Sequence, residues 1–97
     1  MARVIIPANG WVELISELSL SNGVSYTTSN EGNSVLQVVT TEDIANAPIG
    51  EPYSLGVRQA KDGIISWLDH KAENGKGIWV YSHDLTGQLE VHIWVVI

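Results

Sequence analysis

The sequence predicts an all-β fold: a single-domain antiparallel β-sandwich or small jelly roll of about eight short strands. Three observations carry this expectation. Val, Ile, Thr, Tyr and Trp recur in short runs. Clusters of Gly, Asn, Pro and Ser separate those runs at the spacing of a sandwich or barrel. The run QLEVHIWVV alternates from face to face, as a strand does.

The elements follow in chain order. RVII (3–6) reads as an opening strand, closed by the turn PANG. WVELI (11–15) is the second strand and ends before SNG. VSYTTS (24–29) and SVLQVVT (34–40) flank the turn NEGN. TTEDIANAP is the best helical candidate, because Thr40 and Asp43 have capping-box-like spacing. Pro48 disfavours helix at Ala47, so at most one or two turns are expected there, and a loop equally. YSLGV (53–57), IISWL (64–68), GIWVYS (77–82) and QLEVHIWVV (88–96) complete the strands, separated by KDG, ENGKG and DLTG.

Two strands raise a question of burial. In the last one, Leu89, Val91, Ile93 and Val95 share a face that reads as core. Glu90, His92, Trp94 and Val96 share the other, which turns from polar to apolar along the strand. In GIWVYS, Ile78 and Val80 lie on one face, and Trp79 and Tyr81 on the other. Pairing of 77–82 with 88–96 as a hairpin would join these aromatics into one stripe away from the core. Such a stripe has to be covered by the NAPIGEP loop, by the N-terminal segment or by a neighbouring subunit, since an open one invites aggregation.

Composition narrows the function classes. The 97 residues make one domain, 1–97, and a chain of this size buries about 60–70% of its unfolded surface. Cysteine is absent, so neither a disulfide framework nor a thiolate metal site exists. Eleven acidic against five basic residues give a net charge of −6. Arg3, Arg58, Lys61, Lys71 and Lys76 are scattered, which argues against binding to nucleic acid or to an anionic membrane. No apolar run has membrane-spanning length. The opening MARVIIPANGW is too short in apolar residues, and broken by Pro7, to read as a secretion signal, so maturation in the cytosol is expected.

No catalytic constellation emerges. His70 reads as part of a polar turn region, His83 as part of a hairpin loop, and all three histidines as solvated. Glu90 and His92 on one strand face could supply two metal ligands, where a site needs three or four. SHD (82–84) has triad letters, but adjacent strand residues point to opposite faces. The expectation is a non-enzymatic protein with no catalytic residue, cofactor or metal. Trp11, Trp67, Trp79 and Trp94 are many for one small domain. They can cap the core, sit in a protein interface, or form a sugar-stacking platform beside Asn30, Asn33 or Asn74.

Taken whole, the chain resembles small virion accessory proteins of tailed bacteriophages. The likeness lies in the order of IPANGWVEL, SNG, APIGEPYSLG, GKGIWVYS and LEVHIWVV along nearly all of 1–97. The long RQAKDGIISWLDHKAENG stretch departs from the shortest versions of that pattern. The resemblance implies a β-sandwich that decorates a capsid or attaches to a tail, assembled in the host cytoplasm, and it carries over no catalytic residue. The expected partners are further copies of the chain and other virion proteins. Trp79, Tyr81, Trp94 and Val96 are the candidate interface residues, and residues 2–6 are a candidate exchanged edge strand. The alternative is a carbohydrate-binding module with a host glycan as partner.

Overall fold

Burial alternates residue by residue along the first and third strands, the period-2 signature of strands with one face in a core. The structure is a computed structural model describing residues 2–21, 23–32, 34–49, 56–60, 67–73, 75–83 and 85–93. Its elements are β1 (Ala2–Ile6), β2 (Trp11–Glu13), α1 (Leu14–Glu17), β3 (Ser25–Asn30), β4 (Leu36–Thr41), β5 (Val57–Gln59), β6 (Trp67–Lys71), β7 (Gly77–Ser82) and β8 (Gly87–Ile93).

The strands form two four-stranded antiparallel sheets, ordered β1-β8-β3-β6 and β2-β7-β4-β5. The pairings are nested: β1 with β8, β2 with β7, β3 with β6, and β4 with β5. Pairing of β3 with β8 and of β4 with β7 joins the halves of each sheet. This is one long hairpin rolled into two sheets, the jelly-roll winding, and the all-β expectation holds. Val4, Ile6, Tyr26, Leu89 and Val91 from one sheet meet Leu36, Val38, Ile78 and Val80 from the other.

Polar bonds tie the sheets together at the β3–β5 side. Asn30 Nδ2 donates to the carbonyls of Ser34, at 2.9 Å, and Gln59, at 3.0 Å. Gln59 Nε2 donates back to the Thr28 carbonyl at 3.0 Å. Both side chains are buried, so each bond replaces one that water made in the unfolded chain.

Several local expectations need correction. The WVELI strand stops at Glu13, because the Glu13 carboxylate caps a helical turn. It accepts from the N–H groups of Ile15, at 3.0 Å, and Ser16, at 2.7 Å. It also accepts from Ile78 N on β7 at 2.8 Å. Leu14 and Ile15 are thereby buried as helix rather than strand. In TTEDIANAP the loop alternative prevails. The Asp43 carboxylate accepts from Ala45 N and Asn46 Nδ2 and closes a tight turn.

The predicted 77–82/88–96 hairpin does not form, because β7 and β8 belong to different sheets and the connection crosses between them. Ile93 is 43% exposed rather than core, since β8 there runs towards the end of the sandwich. β1 pairs over five residues with β8 of its own chain and forms an edge of the β1-β8-β3-β6 sheet. Residues 53–55, 64–66 and 94–96 of the predicted strands lie outside the described residues.

Glu13 satisfies three backbone donors on two elements, two on α1 and one on β7, with its two carboxylate oxygens. Glu13→Ala should lower the unfolding free energy by about 2–4 kcal/mol, combining a lost cap with orphaned buried donors. Urea unfolding followed by tryptophan fluorescence measures this, and an unchanged midpoint would show that water replaces the carboxylate.

Candidate functional site

Alternation along β7 turns Ile78 and Val80 inward and leaves Trp79 and Tyr81 on the outer face of the β2-β7-β4-β5 sheet, both half-buried. The β2–β7 register sets Trp11 opposite Tyr81. Their ring centroids lie 5.1 Å apart at 57°, a tilted packing favoured by the ring quadrupoles. On its other side Tyr81 meets the His83 ring at 5.0 Å and 62°. The Tyr81 hydroxyl donates to Asn9 Oδ1 at 3.3 Å.

Trp79 continues this band towards β4, where Val39 is its register partner. It packs over Gly77. A Cβ at Gly77 would lie 2.8 Å from the Trp79 indole nitrogen, 2.9 Å from Thr41 Oγ1 and 3.0 Å from Ile44 Cα, so only glycine leaves room. The Asp43 turn thus lays Ile44 against the Trp79 end, held by Ile44 N donating to the Gly75 carbonyl at 2.8 Å. The Trp79 indole N–H is buried with no hydrogen-bond partner among the described residues. Trp11, Tyr81 and Trp79 thus form a band across β2 and β7, in place of the stripe across a β7–β8 hairpin expected from the sequence. The other two candidates, Trp94 and Val96, lie outside the described residues.

The histidines fall in three different settings. His70 is not in a turn: it sits on β6 facing inward, half-buried. Its ring stacks on Tyr26 at 5.0 Å and 26°, and its Nε2 is 2.9 Å from Thr28 Oγ1. A cleft of about 260 Å³ opens between the sheets here, lined by Thr40, Ile78, Asp69, His70, Glu73 and Lys76 among others. Burial pushes the His70 pKa down, and the Asp69 carboxylate only partly offsets it. The fully buried Tyr26 hydroxyl has no hydrogen-bond partner among the described residues. Burial and the Glu13 carboxylate raise its pKa far above the ordinary 10.0, so it stays protonated.

His83 is buried at 6% exposure, contrary to the solvated reading, because its ring is needed against Tyr81. Neighbouring Ser82 turns inward, with its Oγ donating to Ser34 Oγ at 2.7 Å. Ser34 Oγ in turn donates to the His83 carbonyl. His92 is exposed, as expected. Glu90 beside it is held by Arg3 at 3.0 Å, an exposed pair worth at most about 1 kcal/mol. Among the described residues no three His, Asp or Glu side chains converge to hold a metal ion. Asn30, one of the candidate sugar contacts, is spent on the inter-sheet bonds and only 2% exposed. Asn33 and Asn74 lie outside the described residues.

Sequence reading named Trp79 and Tyr81 from alternation alone. It missed Trp11 as their neighbour because β2–β7 pairing is a long-range property. It placed His70 in a turn because DHK looks like turn chemistry, although Tyr26 and Leu68 beside it mark a strand with an inner face.

The His70 setting has a pH consequence. Its folded pKa lies below the ordinary 6.5, so between the two values the unfolded chain binds more protons. Stability from this residue is fully present above pH 6.5 and is lost as pH falls towards the depressed value. His70→Gln should flatten that part of the stability–pH curve, read by thermal unfolding across the range. An identical curve in the variant would assign the acid loss to other groups. No protein-family model matches the chain, and no curated protein or solved structure does either.

Proposed function

We propose that the chain is a non-enzymatic structural protein of a bacteriophage virion. In this reading it associates with copies of itself and docks on capsid or tail, after assembly in the host cytoplasm. The observation that carries the reading is the band of Trp11, Tyr81 and Trp79 on the outer face of the β2-β7-β4-β5 sheet. Large aromatics on the face away from the core are what the centre of a protein interface is made of.

Three further points support it. The order of motifs resembles that of small virion accessory proteins. The jelly roll is a frame used by capsid domains, an argument from fold analogy that by itself fixes no function. The net charge of −6 suits a surface away from packaged DNA. A two-fold contact would set the same band of each copy against its counterpart, so each aromatic would act twice. Tyr81 is the central anchor, since it touches Trp11, His83 and Asn9 at once.

Tyr81→Ser should weaken self-association by about 2–4 kcal/mol, the size of a central aromatic anchor. The loss in monomer stability should be smaller, since the ring is half-buried and leaves no inner cavity. Size-exclusion chromatography with light scattering, beside thermal unfolding, separates the two effects. A wild-type chain that stays monomeric at high concentration and does not co-sediment with purified virions would overturn the reading.

A further inference from the structure

We propose that the outer face of the other sheet, β1-β8-β3-β6, carries a binding site for an uncharged pyranoside, with Trp67 as its stacking platform. The site shares no residue with the aromatic band, so it stands or falls apart from the self-association proposed above.

The register places Trp67 opposite Ser29, Ser29 opposite Glu90, and Glu90 opposite Arg3. These four residues form one row across four strands, all on the outer face, at about 4.8 Å per strand. A second row holds Asp69, Thr27 and His92. Between the rows lies a shallow cleft of about 180 Å³, lined by Thr27, Ser29, Glu31, Glu90 and His92. Trp67 is 61% exposed, while Trp11 and Trp79 are half-buried.

The neighbours of Trp67 decide what it fits. The centre of a protein interface is depleted in charge, whereas this cleft has two carboxylates, two hydroxyls and an imidazole. Trp67 borders this cleft through its register partner Ser29 rather than lining it, and an indole face beside such groups matches a pyranose ring. Its C–H face can cover the indole, and its hydroxyls can donate to carboxylates and exchange bonds with Thr27, Ser29 and His92. The groups are also pre-set. Ser29 Oγ donates to Glu31 at 2.6 Å, Thr27 Oγ1 donates to Asp69 at 2.7 Å, and Arg3 fixes Glu90 at 3.0 Å. Holding the side chains before binding lowers the entropic cost of ordering them. Glu31, Glu90 and Asp69 would repel sulfated or phosphorylated polymers, which restricts the ligand to an uncharged sugar. The Trp67–Arg3 row spans four strands, about 14 Å, so it suits two or three sugar units along a chain rather than one buried unit.

The probes are an array of neutral and N-acetylated glycans, with chitohexaose and dextran as soluble ligands and heparin as the polyanion. Nuclear magnetic resonance titration of the labelled chain reads the outcome. A neutral glycan should shift the Trp67 indole N–H and the amides of residues 27–30, while heparin shifts neither. Trp67→Ala should weaken that binding by about tenfold or more, and Trp67→Phe should retain part of it. Neither substitution should change the oligomeric state or the unfolding midpoint appreciably, and Tyr81→Ser should leave glycan binding intact. No bound glycan on the array, or binding that survives Trp67→Ala, or a response to heparin alone, would each overturn the proposal.

Discussion

The reciprocal bonds between Asn30 and Gln59 are the constraint on which the rest of the sandwich depends. Apolar contacts between two sheets are non-directional and tolerate sliding. Side-chain amides aimed at backbone carbonyls do not. Asn30 on β3 reaches the Gln59 carbonyl on β5, and the Gln59 amide reaches the Thr28 carbonyl on β3. A shift of either strand by one residue would break both bonds and bury unmatched polar groups at a cost of about 1–3 kcal/mol each. Asn30 Oδ1 also accepts from Gly32 N, and its amide takes the Ser34 carbonyl, so the same residue shapes the turn into β4. Ser34 then engages Ser82 at the end of β7. One buried polar chain thus sets the phase of β3, β4, β5 and β7, and that phase decides which side chains face out.

Glu13 does the same at the opposite side of the β2-β7-β4-β5 sheet. Its carboxylate joins the end of β2, the turn of α1 and the start of β7. This holds β2 in the register that puts Trp11 against Tyr81. With Gly77 leaving room for the Trp79 indole and Ile44, the outer aromatic band follows from backbone positions fixed inside the fold. The band is not a leftover of core packing. The core is complete without it, since Ile78, Val80, Leu36 and Val38 fill the inner face of that sheet.

How much was legible in the sequence follows from the range of each interaction. Strand existence came from local alternation, which is why GIWVYS matched β7 at both ends. The inner positions Leu89 and Val91 and the outer Trp79 and Tyr81 came from the same period. What failed depended on distant partners. WVELI reads as strand to its end, because nothing local says that Glu13 will find Ile78 N sixty-five residues away. The expected β7–β8 hairpin failed because four connecting residues permit either a hairpin or a crossing, and the β3 edge captures β8. His70 and His83 were misplaced because a polar letter near a turn signal reads as solvated, while stacking on Tyr26 and Tyr81 is a tertiary fact.

The two outer faces differ in a way that follows from their neighbours. On the β2-β7-β4-β5 sheet, Trp11 packs on Tyr81 and Trp79 lies over Gly77, and the polar residues paired with these aromatics, Glu13 and Gln37, are buried. On the β1-β8-β3-β6 sheet, Trp67 is set among hydroxyls, carboxylates and one ion pair, so water competes for every contact it makes. An apolar face excludes water and suits a broad, permanent contact. A polar face with one exposed ring suits a hydroxylated ligand that exchanges with water. If both faces act, the jelly roll separates them by the thickness of its core, about 10 Å between sheets. One side can then be buried in an assembly while the other stays open to solvent. That arrangement requires no motion and no coupling between the faces: the same alternation along each strand that builds the core assigns the chemistry of both surfaces.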